Sequence, residues 1–233
     1  MWWCIDKNEF ERFKSEISEF DFFNYRIEND RVIIEGCWPV YGKTSLIRSY
    51  KIKIVVSDDF PNTPPAVFEV GDEIPKSPAY HFNISDNSAC LFARPERFNV
   101  WPLGAGIKDF INGPVKAFFF SQAYKELTGE WPFGEWSHGD EGIVEFYAHL
   151  LYVQSLTIIK EMLELTLEHK IFRQWKCPCG SGKRLIMCHA ERINSLSKII
   201  PRFEILEALK IIDNEIAQGK KTARLIKKSK IVE

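Results

Sequence analysis

The chain has 233 residues, of which 45% are hydrophobic and 14% aromatic, ample for a packed core. A formal net charge of −1 excludes the global field that would draw in nucleic acid or an anionic membrane. The opening "MWWCIDKNEF" is apolar for five residues only, too few for a signal-peptide core, and no run of about 18 uninterrupted apolar residues offers a membrane span. A cytoplasmic protein is expected, whose six cysteines read as thiols or ligands rather than disulfides.

Phe10, Phe13, Ile17 and Phe20 fall at helical spacing among charged residues, which predicts an amphipathic first helix lying on a sheet. "RVIIEG" (31–36), "SYKIKIVVS" (49–57) and "PAVFEV" (65–70) read as strands of an antiparallel meander. Between the last two, Pro61, Pro64 and Pro65 fix backbone angles and remove ladder donors, so the crossover "DDFPNTPP" is extended and rigid. The run "IKDFINGPVKAFFFSQAYKEL" (107–127) is helical, with a kink or break at Gly113-Pro114. A long helical pattern follows from Gly142 to His169, started by Asp140 and Glu141, and its wide apolar surface must pack on other helices or across a homodimer interface. His138 before it reads as a loop or cap residue. A last helix opens at Pro201, with Ile205, Leu206, Leu209, Ile212 and Ile216 on one stripe. The basic end carrying Lys220, Lys221, Arg224, Lys227, Lys228 and Lys230 reads as a solvated, frayed helix end, the alternative being a binding tail. Cys4 and Cys37 read as packing residues.

"CPCGSGKRLIMCH" is the most specific signal. Cys177, Cys179, Cys188 and His189 supply the four thiolate and imidazole ligands that a closed tetrahedral zinc site requires, and Gly180-Ser181-Gly182 lets the backbone fold tightly around an ion. The stretch resembles the SEC-C motif, a short zinc-binding module with two cysteines one residue apart, a Ser-Gly pair and a terminal Cys-Cys or Cys-His pair. With four protein ligands no position is left for a water nucleophile, so a structural or recruiting zinc is expected rather than a catalytic one.

A further cysteine stands out by its surroundings. In "HFNISDNSACLF" (81–92), Cys90 follows the turn-forming Ser85, Asp86, Asn87 and Ser88, an exposed loop better suited to chemistry than to packing. The order of helix, antiparallel meander, "FPNTPP", His81-Phe82-Asn83, Cys90-Leu91 and Trp101-Pro102 resembles the ubiquitin-conjugating enzyme family over roughly residues 5 to 130. The sequence is similar above all to divergent bacterial members that accompany antiphage and ubiquitin-like modification operons. Phe82 stands where the family has proline, and the interval from Asn83 to Cys90 is one residue short.

The resemblance implies an α+β fold of ubiquitin-conjugating type at residues 1–138, followed by a helical connector (139–175), the SEC-C-type zinc module (176–190) and a carboxyl-terminal helix with a basic tail (191–233). It implies an acyl transferase that holds an activated carboxyl terminus as a thioester on Cys90 and passes it to an amine. Asn83 would then donate its amide to the oxyanion or brace the loop, and His81 would hydrogen-bond within it. The implied partners are an activating enzyme and a ubiquitin-like protein, or another protein's carboxyl terminus, such as that of a cyclic-nucleotide synthase. The competing readings are a catalytically silent adaptor for a ubiquitin-like protein or partner enzyme, and a zinc-dependent nucleic-acid or ribosome adaptor.

Overall fold

The computed structural model describes residues 1–43, 45–168 and 174–225. Chain packing divides these into two units: one from Met1–Phe92 and Val100–Phe133, the other from Ala93–Asn99 and the described residues from Gly134 onward. Lys227, Lys228, Lys230 and His169 lie outside the described residues.

The first unit is α+β. A short turn, α1 (Trp2–Ile5), leads into α2 (Lys7–Ile17), whose first turn is capped by Asp6 Oδ1 accepting from the Glu9 amide at 3.0 Å. As predicted, α2 buries Phe13 and Ile17. The sheet runs β1 (Phe23–Glu28), β2 (Arg31–Tyr41), β3 (Leu46–Val55) and β4 (Ala66–Glu69), four antiparallel strands side by side in chain order. Ile34 opposite Ile54, Gly36 opposite Ile52 and Trp38 opposite Tyr50 set the register of the central pair. Gly36 is obligatory at its place, because a Cβ there would lie 1.9 Å from the Phe22 carbonyl oxygen. The first strand, β1, was not among the predicted ones. It joins β2 through Asn29 and Asp30, both at positive φ (49° and 61°), the two-residue turn whose twist matches antiparallel strands.

The predicted break at Gly113-Pro114 takes the form of a wider turn. Between α4 (Ile107–Phe110) and α5 (Lys116–Thr128), residues Ile111–Val115 form one π-helical turn around Pro114, which absorbs the missing amide hydrogen without ending the helix. Phe110, Ile111, Val115 and Phe119 are buried there with Tyr50, Ile52 and Ile54 of the sheet.

The second unit is helical and has its own core. It contains α6 (Asp140–Leu151), α7 (Leu156–Leu167), α8 (Ala190–Ile199) and α9 (Arg202–Ala217), preceded by Ala93–Asn99, which include most of the short α3 (Arg97–Val100). The long helical pattern is thus two helices. Tyr152 adopts the left-handed conformation (φ 56°, ψ 39°) and closes α6, and the chain restarts after Ser155 as α7. The helices beyond residue 140 pack on one another, with Leu151, Ile159, Met162, Leu163, Ala208 and Ile212 fully buried.

The described part of the basic end, residues 220–225, is not helical. After α9 the chain turns at Gly219 and runs back extended, so that the Leu156 amide donates to Lys221 O (3.0 Å) and the Ala223 amide to Gln154 O (2.8 Å). Arg224 then donates from Nε to the buried Glu145 carboxylate at 2.8 Å, which also accepts from the Ser137 amide (2.8 Å) and hydroxyl (2.9 Å). Burial alone raises the Glu145 pKa. The Arg224 guanidinium and the two Ser137 donors outweigh it and hold the carboxyl below its ordinary 4.5. A depressed pKa contributes stability that is present above the unfolded value and lost as pH falls through the folded one. Acidification below about pH 4.5 is therefore expected to free residues 221–225 before the helices melt. Arg224→Ala should do the same at neutral pH for about 1–2 kcal/mol, the pair being discounted because the arginine is half exposed. Hydrogen exchange at Ala223 and Leu156 reads both; equal protection at pH 4 and pH 7, in wild type and variant, would overturn the assignment.

Candidate functional site

The Cys90 loop is built from β4 outward. A helical turn, Pro78–Tyr80, is ended by His81 in the left-handed conformation (φ 56°, ψ 48°). This turns the His81 carbonyl toward Cys90, whose amide donates to it at 2.7 Å. One step in, Phe82 and Ala89 pair as an antiparallel bridge, and the Ala89 amide donates to Val67 O of β4 at 2.7 Å. Between them the chain closes on itself: Asn83 N donates to Ser88 O (2.9 Å) and Asn83 Nδ2 to Ser88 Oγ (2.9 Å). Ser88 in turn donates from its amide (3.0 Å) and hydroxyl (2.7 Å) to Asp86 Oδ1, and these bonds, the amide's first, hold the Asp86 carboxyl below its ordinary range. The loop tip at Ile84–Asn87 is exposed as predicted. Ser88, by contrast, is buried, because its hydroxyl is the knot of the turn.

Cys90 emerges from this knot half-buried, its Sγ 4.0 Å from Phe92 O. Asn83 is exposed, and its amide is engaged with Ser88, the arrangement of a loop brace. His81 packs its ring edge-on to Trp131 at 4.6 Å between centroids, and the Lys125 ammonium lies 4.4 Å from the centroid of the same Trp131 ring. Gln122 on α5 donates to Tyr80 O at 2.8 Å and ties the turn before His81 to the helix. Neither Gln122 nor Trp131 was singled out from the sequence; tertiary packing alone joins them to the loop. Phe82 is 2% exposed and packs against Phe118 at 5.5 Å, so it holds the loop from below. Phe60 of "FPNTPP" and Trp101 stack at 6.1 Å in the same core, where the Trp101 indole donates to Gly106 O. Cys4 and Cys37, expected to pack, are exposed instead.

The second candidate site lies in the helical unit. Residues 175–177 and 183–185 form a small hairpin, with the Cys177 amide donating to Lys183 O (2.9 Å) and the Leu185 amide to Trp175 O (2.8 Å). Gly180 and Gly182 sit at positive φ (77° and 72°), which turns the loop between the first two cysteines and Lys183. A helical turn, Leu185–Met187, then delivers Cys188 and His189 to the start of α8. The result brings all four predicted ligands together, each offering one atom within 4.8 Å of the others. Cys177 Sγ and Cys188 Sγ each lie 3.2 Å from His189 Nδ1, and Cys179 Sγ lies 3.6 Å from Cys188 Sγ. A tetrahedral ion with bonds of about 2.0–2.3 Å has ligand–ligand edges of about 3.3–3.8 Å, so these separations suit a single metal ion. Burial pushes the Cys177 thiol up to about 12, whereas the Ser181 hydroxyl, 3.1 Å from Cys179 Sγ, holds that thiol down to about 6.

The chain matches no protein-family model, no curated protein and no solved structure. Leu185 is fully buried and Cys177 nearly so within the core of α6 to α9, which makes the cysteine–histidine cluster part of the helical unit's packing. His138 lies exposed just before α6. Among the described residues no helix is long and apolar enough to cross a membrane.

Proposed function

We propose that the protein is a conjugating enzyme of ubiquitin-like type, which carries an activated carboxyl terminus on Cys90 and transfers it to an amine. One observation carries the reading: the half-exposed Cys90 follows a turn knotted by Asn83, Asp86 and Ser88, on a unit with a first helix, an antiparallel four-strand meander and a later long helix. That is the order of parts implied by the sequence resemblance to ubiquitin-conjugating enzymes. In the first step the Cys90 thiolate attacks the thioester that joins the modifier to its activating enzyme, forms a new thioester and releases the activating enzyme's thiolate. In the second an amine attacks the carbonyl, forms an amide and releases the Cys90 thiolate. The reaction needs an accessible thiol and a well-held loop, not a charge-relay triad.

In this reading Cys177, Cys179, Cys188 and His189 hold a structural zinc. Three thiolates and one imidazole are the soft, closed donor set that zinc takes, and four protein ligands leave it no position for substrate. The setting suggested by the resemblance is a bacterial antiphage or ubiquitin-like modification system. There the partners are an activating enzyme and a ubiquitin-like protein, or a carboxyl terminus such as that of a cyclic-nucleotide synthase.

The test is intact-mass spectrometry of the full chain after incubation with ATP and the activating enzyme and modifier encoded by neighbouring genes. A modifier-sized adduct that is cleaved by dithiothreitol and maps to Cys90 is expected. The silent-adaptor reading is favoured by one feature, the commitment of the Asn83 amide to Ser88. It replaces the first if the modifier binds the chain but no thiol-labile adduct forms.

A further inference from the structure

Three side chains on one stripe of α5, at positions i, i+4 and i+7, meet the chain that leads to Cys90. Phe118 meets the Phe82 ring edge-on at 5.5 Å, and Gln122 Nε2 donates to Tyr80 O at 2.8 Å. The Lys125 ammonium lies 4.4 Å from the centroid of the Trp131 ring, against which His81 packs. Gln122 is the odd member of the stripe, a primary amide that is only 4% exposed and sits on the helix among the buried Phe118, Phe119 and Ala123. A polar group in such a place is costly unless it is hydrogen-bonded, whereas an apolar side chain of the same size would pack there without that cost. What the amide does there is hold one peptide group.

The peptide between Tyr80 and His81 is pinned at both of its polar atoms. Its carbonyl accepts from Gln122, and its N–H, the His81 amide, donates to Pro78 O at 2.9 Å. His81 itself is left-handed (φ 56°, ψ 48°), a conformation that costs free energy for a residue with a Cβ and persists where the surroundings impose it. That conformation is what brings the His81 carbonyl to the Cys90 amide, at 2.7 Å. The Phe82–Ala89 bridge and the bond from Asn83 N to Ser88 O continue the same pairing toward the loop tip. The backbone at Cys90 is thus set, on this side, by a peptide plane whose orientation a helix side chain fixes. All of these residues belong to the first unit.

We infer that Gln122 is a positioning residue for Cys90, acting through the Tyr80–His81 peptide. The inference rests on the proposed thioester chemistry for its purpose, but its physical content, the hold on the backbone that carries a thiol, can be measured without any modifier. Loss of the donor lets the peptide rotate, lets His81 relax out of the left-handed region and breaks the bond to the Cys90 amide. The thiol becomes more exposed and poorly aligned for attack on a modifier thioester.

The experiment uses the full chain with Gln122→Leu and Gln122→Met, two apolar replacements of similar size that suit a buried helix stripe and cannot donate. Ser121→Ala is the control, because the Ser121 hydroxyl returns to Ala117 O of the same helix at 2.8 Å. Amide exchange is followed by NMR, and alkylation of each cysteine by iodoacetamide is followed by peptide mass spectrometry. In both Gln122 variants protection of the Cys90 amide is expected to fall about tenfold and Cys90 to alkylate about threefold faster, with the Phe118 and Phe119 amides unchanged. The exposed Cys4 and Cys37 serve as internal controls and should keep their rates. In single-turnover loading from the charged activating enzyme, the maximal rate should fall about tenfold while the half-saturating concentration holds. Unchanged protection at the Cys90 amide, or a loss shared equally by Phe118 and Phe119, overturns the inference. So does Cys90 alkylation that is unchanged, slower or matched by a rise at Cys4 and Cys37, or a like effect of Ser121→Ala. Deprotection and faster alkylation confined to Cys90, in a protein that never forms a thioester, would instead overturn the proposed function and leave the positioning role standing.

Discussion

With the proposed zinc bound, its removal by chelation, or Cys177→Ser, is expected to lower the Tm of the helical unit by on the order of 15 °C. Structural zinc in a module with no other core contributes about 10 kcal/mol or more to folding. Here the cluster has other support, because Leu185 and Cys177 are packed with Ile193, Leu196, Ile159 and Leu163. That core remains when the ion leaves, so a smaller loss of about 4–5 kcal/mol is expected, comparable to the largest effects of single substitutions. Cys177 is the ligand to replace, since it is the most buried of the four and a serine there would add an unsatisfied hydroxyl to a site that no longer binds metal. Hydrogen exchange should show the loss as deprotection of residues 175–189 and the first turn of α8, with β2 and β3 unaffected. Metal analysis that finds no stoichiometric zinc in protein with all four residues reduced would remove both the ion and the prediction.

Why this cluster is legible in the sequence, and other features are not, follows from how local each signal is. The four ligands lie within thirteen positions of one another, and their donor chemistry announces itself. The strands β2, β3 and β4 and the helix α2 are legible because their apolar spacing repeats along the chain. Strand β1 alternates just as well, as Phe23-Asn24-Tyr25-Arg26-Ile27-Glu28, and Asn29-Asp30 is a turn signal; its neighbourhood to the aromatic run Phe20-Asp21-Phe22-Phe23 masked the period. Helix α8 shows Ala190, Ile193 and Leu196 at helical spacing, but it starts on the last of the four predicted ligands, so that motif hides it. The split at Tyr152 could not be read, because the residues that occupy the gap, Lys221 to Ala223, come from nearly seventy positions away. The same is true of Arg94 and Glu204, 110 positions apart, whose pairing only the folded chain makes visible. Local periodicity and local chemistry thus give elements and ligands, whereas the partners of single buried charges are decided by tertiary packing.

For the proposed thioester chemistry the sharpest expected result is an adduct that changes its lability. Cys90→Ala should abolish transfer at little cost in stability, because a half-exposed loop position leaves no closed cavity. Cys90→Ser should accumulate a modifier adduct that resists dithiothreitol: a serine oxygen is far harder to activate than a thiolate, but the oxyester, once formed, reacts more slowly with amines than a thioester does. The role of Asn83 separates on the same assay. As an oxyanion donor its loss would slow discharge alone, by about 2–4 kcal/mol in barrier. As the brace seen here, with Nδ2 on Ser88 Oγ at 2.9 Å, its loss should cost about one hydrogen bond, 0.5–1.5 kcal/mol, and slow loading and discharge together. Ser88→Ala decides between them. It removes the amide's partner but leaves the amide, so under the bracing role it should reproduce most of the Asn83→Ala defect, with the exposed tip Ile84–Asn87 losing exchange protection in both variants. Full activity of Ser88→Ala beside a discharge-specific defect of Asn83→Ala would place the Asn83 amide on the reacting carbonyl and show that it leaves Ser88 during turnover.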